Sequence, residues 1–237
     1  MGSGGTASIR SLPRVFIPGV PDPCIDYFEL PKEEYDKFHK VLRLSAGNEI
    51  AVLPNDGRLV RCRLQGRGAD PVETLRPDTE SPVDLTLALA LPKPEKLEES
   101  VRMATELGVR KFVVFPSDRT VVKWDADKTA NKLARLERIA REAAEVSFRT
   151  KLPLFEKRSS LVDVLKEWPE AIVMSESETA PRSRLIGSSL VLVVGPEGGW
   201  SPKEVAAIGD RAISLGPRVF RVDTAVAAAC SLALLAE

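Results

Sequence analysis

Residues 190–203 read LVLVVGPEGGWSPK, an apolar run that ends at a glycine-rich loop and restarts as a helix. Five apolar residues in a row predict a strand that is buried on both faces of a sheet. Ser201, followed by Pro202 and then by Glu204, is the pattern of a helix N-terminus with a capping box. In open α/β sheets a strand, a loop and a helix in this order bind ligands outside the carboxyl end of the strand.

The residues of this loop limit the ligand. Gly195, Gly198 and Gly199 permit positive φ and let a ligand approach the backbone, although glycines in a loop can also serve only to turn the chain. No Lys-Ser/Thr pair follows them, and Glu197 would place a negative charge beside a phosphate, so a phosphate loop is disfavoured. An acid among bare backbone groups suits a ligand with hydrogen-bonding edges and positive charge, such as S-adenosylmethionine.

The sequence on both sides alternates strand and helix. Residues 94–108 form a predicted helix with Pro94 near its start and Gly108 just past its end, and a long amphipathic helix is expected at about 130–148. The inner stripe of that long helix is Leu133, Leu136, Ala140, Ala143 and Ser147. Apolar strands are predicted at 84–91, 111–116, 171–175, 190–194 and 212–215, with helices after the last three. This alternation predicts an α/β domain with a mostly parallel sheet covered on both faces.

The first 75 residues have a different pattern. Short strand-like pieces at 14–19, 49–54 and 58–64 are separated by turn residues, and Asp56-Gly57 is a pair favoured in tight hairpins. A helix is expected over 32–48, ending at Gly47. Because the proline-flanked segment 76–82 separates the two patterns, we predict a small β domain over residues 1–76 and an α/β domain over 77–237. Residues 1–8, which are a tag or a native tail, are left out of the fold prediction.

Composition narrows the function classes. Lys and Arg together number 34, as do Asp and Glu, so the molecule as a whole has no long-range attraction to nucleic acid. Three widely spaced cysteines and a single histidine, His39, predict neither a metal site nor a disulfide framework. No apolar stretch is long enough to span a membrane and the N-terminal segment lacks a secretory pattern, so we expect a cytosolic protein without a membrane partner.

Two local segments are basic nonetheless. Residues 58–67 hold four arginines and no acid, and residues 132–151 are predominantly basic. Each is either a solvated face or a surface that contacts RNA.

A second distinctive loop follows at residues 212–230, AISLGPRVFRVDTAVAAAC. A strand leads into a Gly-Pro turn and two arginines three residues apart, and an alanine-rich helix then begins with Asp223 or Thr224 as its expected N-cap. The alanines let neighbouring backbone come close, although they are also simply good helix formers.

Together, LVVGPEGGWSPKEV and SLGPRVFRVDTA resemble the signature loops of the RsmE-type ribosomal RNA methyltransferases of the SPOUT superfamily. LPRVFIPG, HKVLRLSAGNEI, LPKPEKLEESVRMATELGV, FPSDRTVVK and EAAEVSFRTKLP match in order, so the resemblance extends from about Leu12 to the end. It implies methylation of N3 of a uridine in 16S small-subunit ribosomal RNA with S-adenosylmethionine. It also implies an N-terminal PUA-like β-barrel that helps to bind RNA, a SPOUT domain with a deep trefoil knot, and a homodimer.

The resemblance also implies site residues. The expected cofactor contacts are Met174, Ser175, Val194, Gly195, Pro196, Glu197, Gly198, Gly199, Leu215, Gly216, Arg218, Val219, Phe220, Arg221 and Thr224. The expected RNA contacts are Arg14, Arg43, Arg58, Arg61, Arg63 and Arg149. The substrate is expected to be the ribosomal RNA or the assembled small subunit, and no metal is expected.

The chain departs from the family pattern at three places. Phe220-Arg221-Val222-Asp223-Thr224 stands where Leu-Arg-Thr-Glu-Thr is usual, and Glu145-Val146-Ser147-Phe148-Arg149 stands where Glu-Gln-Ser/Cys-Gly-Arg is usual. Lys37 replaces a common histidine. Val222 removes a hydroxyl and Asp223 shortens an acid, so polar contacts in the site are expected to differ.

For catalysis we hypothesise that Arg218 or Arg221 stabilises the negative charge that develops on uridine O2 and O4 when N3 loses its proton. Arg14 and Arg149 would hold RNA phosphates, and the alternative for each of these four arginines is a structural salt bridge. The sequence shows no obvious general base: Glu197 and Asp223 are candidates, and the alternative is that the reaction relies on hydroxide and orientation. Two other functions stay open: a non-catalytic RNA-binding or ribosome-assembly protein on the same fold, and a SPOUT methyltransferase with another ribosomal or transfer RNA target.

Overall fold

The structure is a computed structural model that describes residues 8–122, 124–176 and 185–235. The chain forms two compact units: Met1–Glu80 with Ala144–Lys151, and Ser81–Ala143 with Leu152–Glu237. The first unit therefore includes a short segment, residues 144–151, that lies far along the chain. A boundary at a single position in the sequence cannot describe such a unit.

The first unit is a mixed five-stranded half-barrel. Its strands are β1 (Arg14–Phe16), β2 (Phe28–Glu29), β3 (Glu49–Leu53), β4 (Leu59–Gln65) and β5 (Gly68–Leu75), in the order β1-β3-β4-β5-β2. β1 pairs parallel with β3, and the other neighbours pair antiparallel. The hairpin predicted at Asp56-Gly57 is present between β3 and β4, where Asn55 and Gly57 both have positive φ.

The helix expected over 32–48 is shorter than predicted. α1 (Lys32–Asp36) continues only through a π turn, Lys37–Val41. Arg43 then adopts a φ of 55°, outside the right-handed helical region, and Gly47 lies beyond in a separate turn. The helix therefore ends before Arg43, whose backbone is in the left-handed region, and not at Gly47 as the sequence pattern had indicated.

The second unit contains a six-stranded sheet in which every neighbouring pair is parallel. Its strands are β6 (Asp84–Ala90), β7 (Lys111–Phe115), β8 (Leu154–Lys157), β9 (Ile172–Met174), β10 (Ser189–Val194) and β11 (Ala212–Ile213), in the order β11-β9-β10-β6-β7-β8. Its helices are α2 (Pro94–Leu107), α3 (Ala126–Val146), α4 (Leu161–Glu167), α5 (Pro202–Ile208) and α6 (Val222–Leu234), and the last residues of α3 belong to the first unit. The predicted parallel sheet is confirmed.

Both faces of this sheet are covered, as predicted. Along β6, Leu85, Leu87 and Leu89 belong to a core that includes residues of α2, α3 and α6, whereas Ala88 and Ala90 belong to a core with residues of α4 and α5. Because successive side chains of a strand point to opposite faces, one strand contributes to both cores. The knot that the resemblance implies stays a prediction.

The predicted helix ends of the second unit had mixed outcomes. α2 begins at Pro94 and ends before Gly108, whose φ is 112°, as expected. α3 starts four residues earlier than expected and ends at Val146, so Ser147 lies outside it. The helix expected after the strand at 171–175 falls largely on residues 177–184, which lie outside the described residues, as does nearly all of the tag-or-tail segment 1–8.

The predicted N-cap of α6 is wrong. The cap is Arg221, which makes no side-chain cap hydrogen bond, and the helix starts at Val222. Asp223 and Thr224 therefore lie inside the first turn. Asp223 forms an ion pair with Lys96 of α2 instead of capping, with 2.7 Å between Nζ and Oδ2.

Candidate active site

A cavity of about 690 Å³ opens at the carboxyl ends of the central strands of the second unit. Three loops line it, one after each of β9, β10 and β11, together with the first turn of α2. Val193 is in register with Val173, and Ile213 with Met174, so these three strands end side by side. The volume lies within the ~300–1,000 Å³ that is usual for ligand sites, and the position is the one that open α/β sheets use for ligands.

The structure brings most of the predicted cofactor residues together around this cavity. Those that line it are Met174, Ser175, Val194, Gly195, Pro196, Glu197, Gly199, Leu215, Arg218, Val219, Phe220 and Arg221. Gly198, Gly216 and Thr224 are not among the lining residues. The role of every one of these fifteen residues as a cofactor contact stays a prediction.

The glycines of the loop after β10 are required by close packing. A Cβ on Gly195 would lie 3.0 Å from the indole of Trp200, whose Nε1 donates a hydrogen bond to the Met174 carbonyl at 3.0 Å. Gly199 has a φ of 66°, and a Cβ there would approach the Glu176 carboxylate to 3.4 Å. The loop is therefore a backbone cradle, and its glycines do more than turn the chain.

The helix after this cradle is anchored as the sequence predicted. Ser201 accepts a hydrogen bond from the Glu204 amide and Glu204 accepts one from the Ser201 amide, which completes the capping box of α5. Ser201 Oγ also donates to Asp118 Oδ2 at 2.6 Å, and Glu204 Oε1 accepts from the Asp118 amide. These hydrogen bonds connect the cap, and with it the glycine loop after β10, to the segment after β7.

The acids at the cavity have different surroundings. Glu197 Oε1 accepts a hydrogen bond from the Lys93 amide at 3.0 Å, so one of its oxygens is engaged in holding the turn before α2. Glu176 is exposed and lines the cavity. The hydrogen bond from Lys96 holds the pKa of Asp223 below its ordinary value, more than offsetting the opposing effect of burial. Asp223 is therefore a weak base, and the structure does not support it as the general base.

Arg218 and Arg221 are exposed at the edge of the cavity. Within the described residues, neither guanidinium forms an ion pair or side-chain hydrogen bond, so the alternative of a structural salt bridge is not seen for them. Arg119 Nη1 donates to the Gly198 carbonyl at 2.9 Å and braces the cradle from outside. Uncommitted arginines beside a ligand cavity can bind a developing anion.

Sequence reasoning missed several lining residues. These are Lys93, Glu95, Lys96, Arg119, Glu176, Trp200, Val205, Ser214, Val222 and Ala225. The first three reach the cavity because β6 pairs with β10, which places the start of α2 beside the glycine loop. No local pattern reveals that pairing, because the strands are about a hundred residues apart.

Three of the six arginines predicted to contact RNA are buried in the first unit. Arg58 donates to Asp56 and to the carbonyls of residues 20 and 21, Arg61 binds Glu49, and Arg149 binds Glu80. Each is at most 5% exposed. Their guanidinium groups hold the fold together, and direct contact with RNA phosphates does not fit this burial.

The other three differ from them. Arg43 and Arg63 are exposed, and Arg14 is half-buried with hydrogen bonds to backbone carbonyls of residues 10, 145 and 146. The exposed guanidinium of Arg43 keeps the freedom to bind a phosphate, whereas Arg63 Nη2 lies 3.5 Å from Glu49 Oε1 and Arg14 is held by those carbonyls. The RNA-binding roles of all three stay predictions.

The structure bears on two expectations drawn from composition, those concerning a membrane span and a metal site. None of the helices in the described residues is both long and apolar enough to cross a bilayer. Within the same residues, no group of three His, Cys, Asp or Glu side chains is placed to hold a metal ion.

Comparison with known proteins defines the class first. Residues 79–234 match the family described as an RNA methyltransferase domain. The chain is 33% identical over 219 residues to ribosomal RNA small subunit methyltransferase E of Bacillus subtilis, covering 84% of this chain and 86% of that one. It is 34% identical over 206 residues to the protein of the same name from Mycobacterium bovis, covering 80% and 79%.

The chain therefore belongs to the ribosomal RNA small subunit methyltransferase E family. Solved structures agree with this assignment. A methyltransferase E from Neisseria gonorrhoeae bound to S-adenosyl methionine superposes with a TM-score of 0.83 at 25% identity, covering 93% of this chain and 95% of that one. A putative methyltransferase from Legionella pneumophila in complex with the same cofactor gives 0.85 at 26% identity, covering 94% and 96%.

Proposed function

We propose that this chain transfers a methyl group from S-adenosylmethionine to N3 of a uridine in 16S small-subunit ribosomal RNA, as free RNA or in the assembled subunit. Family membership supports the reaction class. The observation that carries the proposal is the backbone cradle at Gly195–Gly199, which faces the cavity at the carboxyl ends of β9 and β10. The uridine and its N3 rest on the family resemblance.

The cavity fits the proposed cofactor. Its glycine loop presents backbone donors and acceptors without side chains in the way, which suits the edge of an adenine. Glu176 places a carboxylate at the wall, and carboxylates favour a ligand that carries ammonium and sulfonium charge. Lys93 also lines the cavity, and its ammonium suits the carboxylate of the same ligand, whereas Lys96 is paired with Asp223.

S-Adenosylmethionine supplies an electrophilic methyl on a sulfonium, and the sulfur keeps the electron pair of the broken bond as a neutral thioether. The uridine N3 lone pair forms the new bond, and its proton passes to solvent. The protein makes loss of that proton easier by placing Arg218 and Arg221 where negative charge spreads onto O2 and O4.

Arg221→Ala tests this assignment. If the guanidinium stabilises the developing anion, kcat falls by about 100-fold while the dissociation constant for S-adenosylmethionine stays within about threefold. Calorimetry gives the affinity, and transfer of tritiated methyl to unmodified small subunits gives the rate. Arg138→Ala, an exposed arginine of α3 away from the cavity, is the matched control. Equal losses of affinity and rate would assign Arg221 to cofactor binding instead.

The same calorimetry separates the proposal from a non-catalytic assembly protein. A catalytic protein binds S-adenosylmethionine, whereas a chain that kept only the fold does not. Mass mapping of small-subunit RNA from a deletion strain then shows which nucleotide lacks a methyl group. A missing methyl on transfer RNA instead would favour the other SPOUT activity.

For RNA binding we propose a surface formed by Arg14, Arg43 and Arg63 of the first unit. Removing one contact to a phosphate reduces the magnitude of the negative slope of log affinity against log salt concentration by about 0.7–0.9. Arg63→Ala should therefore weaken RNA binding and flatten its salt dependence with little loss of stability, because its 3.5 Å ion pair with Glu49 is exposed. Arg61→Ala is the contrasting variant, because it removes a buried partner of Glu49 and should lower stability instead. An unchanged salt slope in Arg63→Ala would remove that residue from the surface.

We also propose that the chain works as a homodimer. Leu232 and Leu235 lie three residues apart at the end of α6 and are 52% and 64% exposed, which supports an apolar contact there. Leu232→Glu should convert the dimer to a monomer in sedimentation velocity. A wild-type protein that sediments as a monomer would contradict the proposal.

A further inference from the structure

A second, smaller cavity lies beside the proposed cofactor site in the same unit. Its volume is about 190 Å³, and its apolar walls include Pro92, Pro94, Leu97 and Trp124. Lys132 and Arg135 of α3 lie at its rim. The cavity is large enough for one flat ring system and too small for a whole cofactor.

The two cavities share one short segment of chain. Lys93, Glu95 and Lys96 line the cofactor cavity, whereas Pro92, Pro94 and Leu97 line the smaller one. Residues of the turn between β6 and α2 thus face two sites in near alternation. A ligand in the smaller cavity is therefore separated from the proposed methyl donor by residues 92–97.

The chemistry of the smaller cavity suits a nucleotide. The Trp124 indole and two proline rings offer flat apolar surface to a base, and aromatic side chains stack on any base because every base has a π face. The Lys132 ammonium lies 5.2 Å from the indole centroid. Arg135 is ion-paired with Glu98 at 2.7 Å and is 61% exposed, so Lys132 and Arg135 place two cationic side chains at the rim. A phosphate attached to the base would meet that charge.

We propose that this cavity binds the base of a nucleotide next to the methylated one, with its phosphate at Lys132. The inference rests on the proposed RNA methyltransferase function. An enzyme that acts on an atom of a base in folded RNA needs that base unpaired or flipped out. The neighbouring base then loses a stacking partner, and Trp124 restores one beside the methyl donor.

Two substitutions at Trp124 separate stacking from apolar filling. Trp124→Phe keeps a π face, whereas Trp124→Leu keeps only apolar volume. We expect Trp124→Leu to raise the KM for unmodified small subunits about tenfold and Trp124→Phe to raise it less than threefold. Affinity for S-adenosylmethionine should match the wild type in both. Because Trp124 packs partly buried against the core, each variant should lower the thermal unfolding midpoint, and KM is therefore measured well below it. Equal KM increases in the two variants, or no increase in either, would overturn the stacking role.

Fluorescence gives a direct readout with single-stranded octauridylate as the probe. Stacking on Trp124 should quench emission of the wild type, and Trp124→Phe should abolish that quenching. S-Adenosylmethionine should still change the emission of Trp124→Phe, because Trp200 lines the cofactor cavity. Quenching by RNA that persists in Trp124→Phe would place the base elsewhere.

A pair of lysines on α3 tests the phosphate contact. Lys132→Ala should lower the salt slope of octauridylate binding by about 0.7. Lys128→Ala, one turn earlier and outside the cavity, should leave it unchanged. Equal effects of the two variants would indicate diffuse attraction and contradict a defined site.

Failure of the inference is distinguishable from failure of the proposed function. If the wild type binds S-adenosylmethionine and methylates the subunit while Trp124→Leu keeps the wild-type KM, only the second cavity is misassigned. If the wild type methylates no RNA, the function itself fails.

Discussion

Phe148 occupies a backbone conformation that few residues of its type adopt. Its φ is 66°, in the left-handed region where glycine has no steric penalty, and the family pattern has glycine at this place. Its ring compensates by lying near two guanidinium groups, with the Cζ of Arg14 5.1 Å and that of Arg10 5.8 Å from the centroid. The departure from the family thus exchanges a relaxed turn for an aromatic contact within the first unit.

This exchange predicts an unusual order of stability. Phe148→Ala removes the ring but keeps the strain, whereas Phe148→Gly removes both. The glycine variant should therefore be about 1 kcal/mol more stable than the alanine variant, the reverse of their usual order in helices and strands. Urea unfolding of the two proteins measures the difference. An alanine variant at least as stable as the glycine variant would contradict strain at this position.

Lys37 is a second departure that the structure explains. Its Nζ lies 2.6 Å from Glu145 Oε2, and the other oxygen of that carboxylate accepts the Phe16 amide at 3.1 Å. A lysine in place of the family's usual histidine supplies a permanent positive charge to a buried acid. The substitution preserves the pairing that this glutamate needs.

At the level of elements, local signals predicted both termini of α2 and the N-terminus of α5, but not the N-terminus of α6. Pro94 with Gly108 and Ser201 with Glu204 act through contacts within a few residues, so the sequence reveals them. Asp223 has the right residue type for a cap, but its partner Lys96 is on another helix. Tertiary pairing therefore overrode the local preference.

The position of the glycine loop was predictable for the same reason, and the rest of the cavity was not. Glycines flanked by a buried strand and a capped helix form a local pattern. The contributions of Lys93 and Arg119 depend on strand order in the sheet, which the sequence pattern leaves undetermined. The smaller cavity at Trp124 depends on the same order.

The hydroxyl of Ser201 makes two of the hydrogen bonds that hold the N-terminus of α5 in place. Ser201→Ala removes the acceptor for the Glu204 amide and the donor to Asp118, and should lower the free energy of unfolding by about 2 kcal/mol. Because the cap directly follows the glycine cradle, the affinity for S-adenosylmethionine should also fall several-fold. Urea unfolding and calorimetry give the two quantities. Ser201→Thr, which keeps the hydroxyl, is the control, and unchanged affinity in Ser201→Ala would show that the cradle holds its shape without the cap.

At the scale of the whole molecule, the first unit is completed by residues 144–151. Glu80 accepts hydrogen bonds from the Arg149 guanidinium at 2.9 Å and from the amides of Thr150 at 2.7 Å and Lys151 at 3.1 Å. Burial alone would raise the pKa of Glu80, but the charge and hydrogen bonds of these partners together lower it below its ordinary value of 4.5. The Glu80 carboxylate, like that of Glu145, thus joins the two separate parts of the unit.

The lowered pKa predicts how stability depends on pH. A carboxyl group whose pKa is lower in the folded protein contributes stability above its unfolded pKa, and that contribution is lost as pH falls through the folded value. The difference in unfolding free energy between wild type and Glu80→Gln should therefore be largest near pH 7 and shrink as pH falls below 4.5. Urea unfolding at pH 7, 5, 4 and 3 measures it. A difference that does not change with pH would show that the pKa of Glu80 is the same in the folded and unfolded protein, which would contradict the prediction.

The same segment determines whether the first unit can fold by itself. A fragment of residues 8–80 ends with Glu80 intact but lacks Glu145 and Arg149, so Lys37, the Phe16 amide and Glu80 all lose their partners. We expect this fragment to remain unfolded, because unpaired buried polar groups are costly. A second fragment, in which residues 144–151 follow residue 80 through a flexible glycine-serine linker, should fold cooperatively. Dispersion of amide resonances and urea unfolding distinguish the two, and a folded 8–80 fragment would show that the half-barrel does not depend on the distant segment.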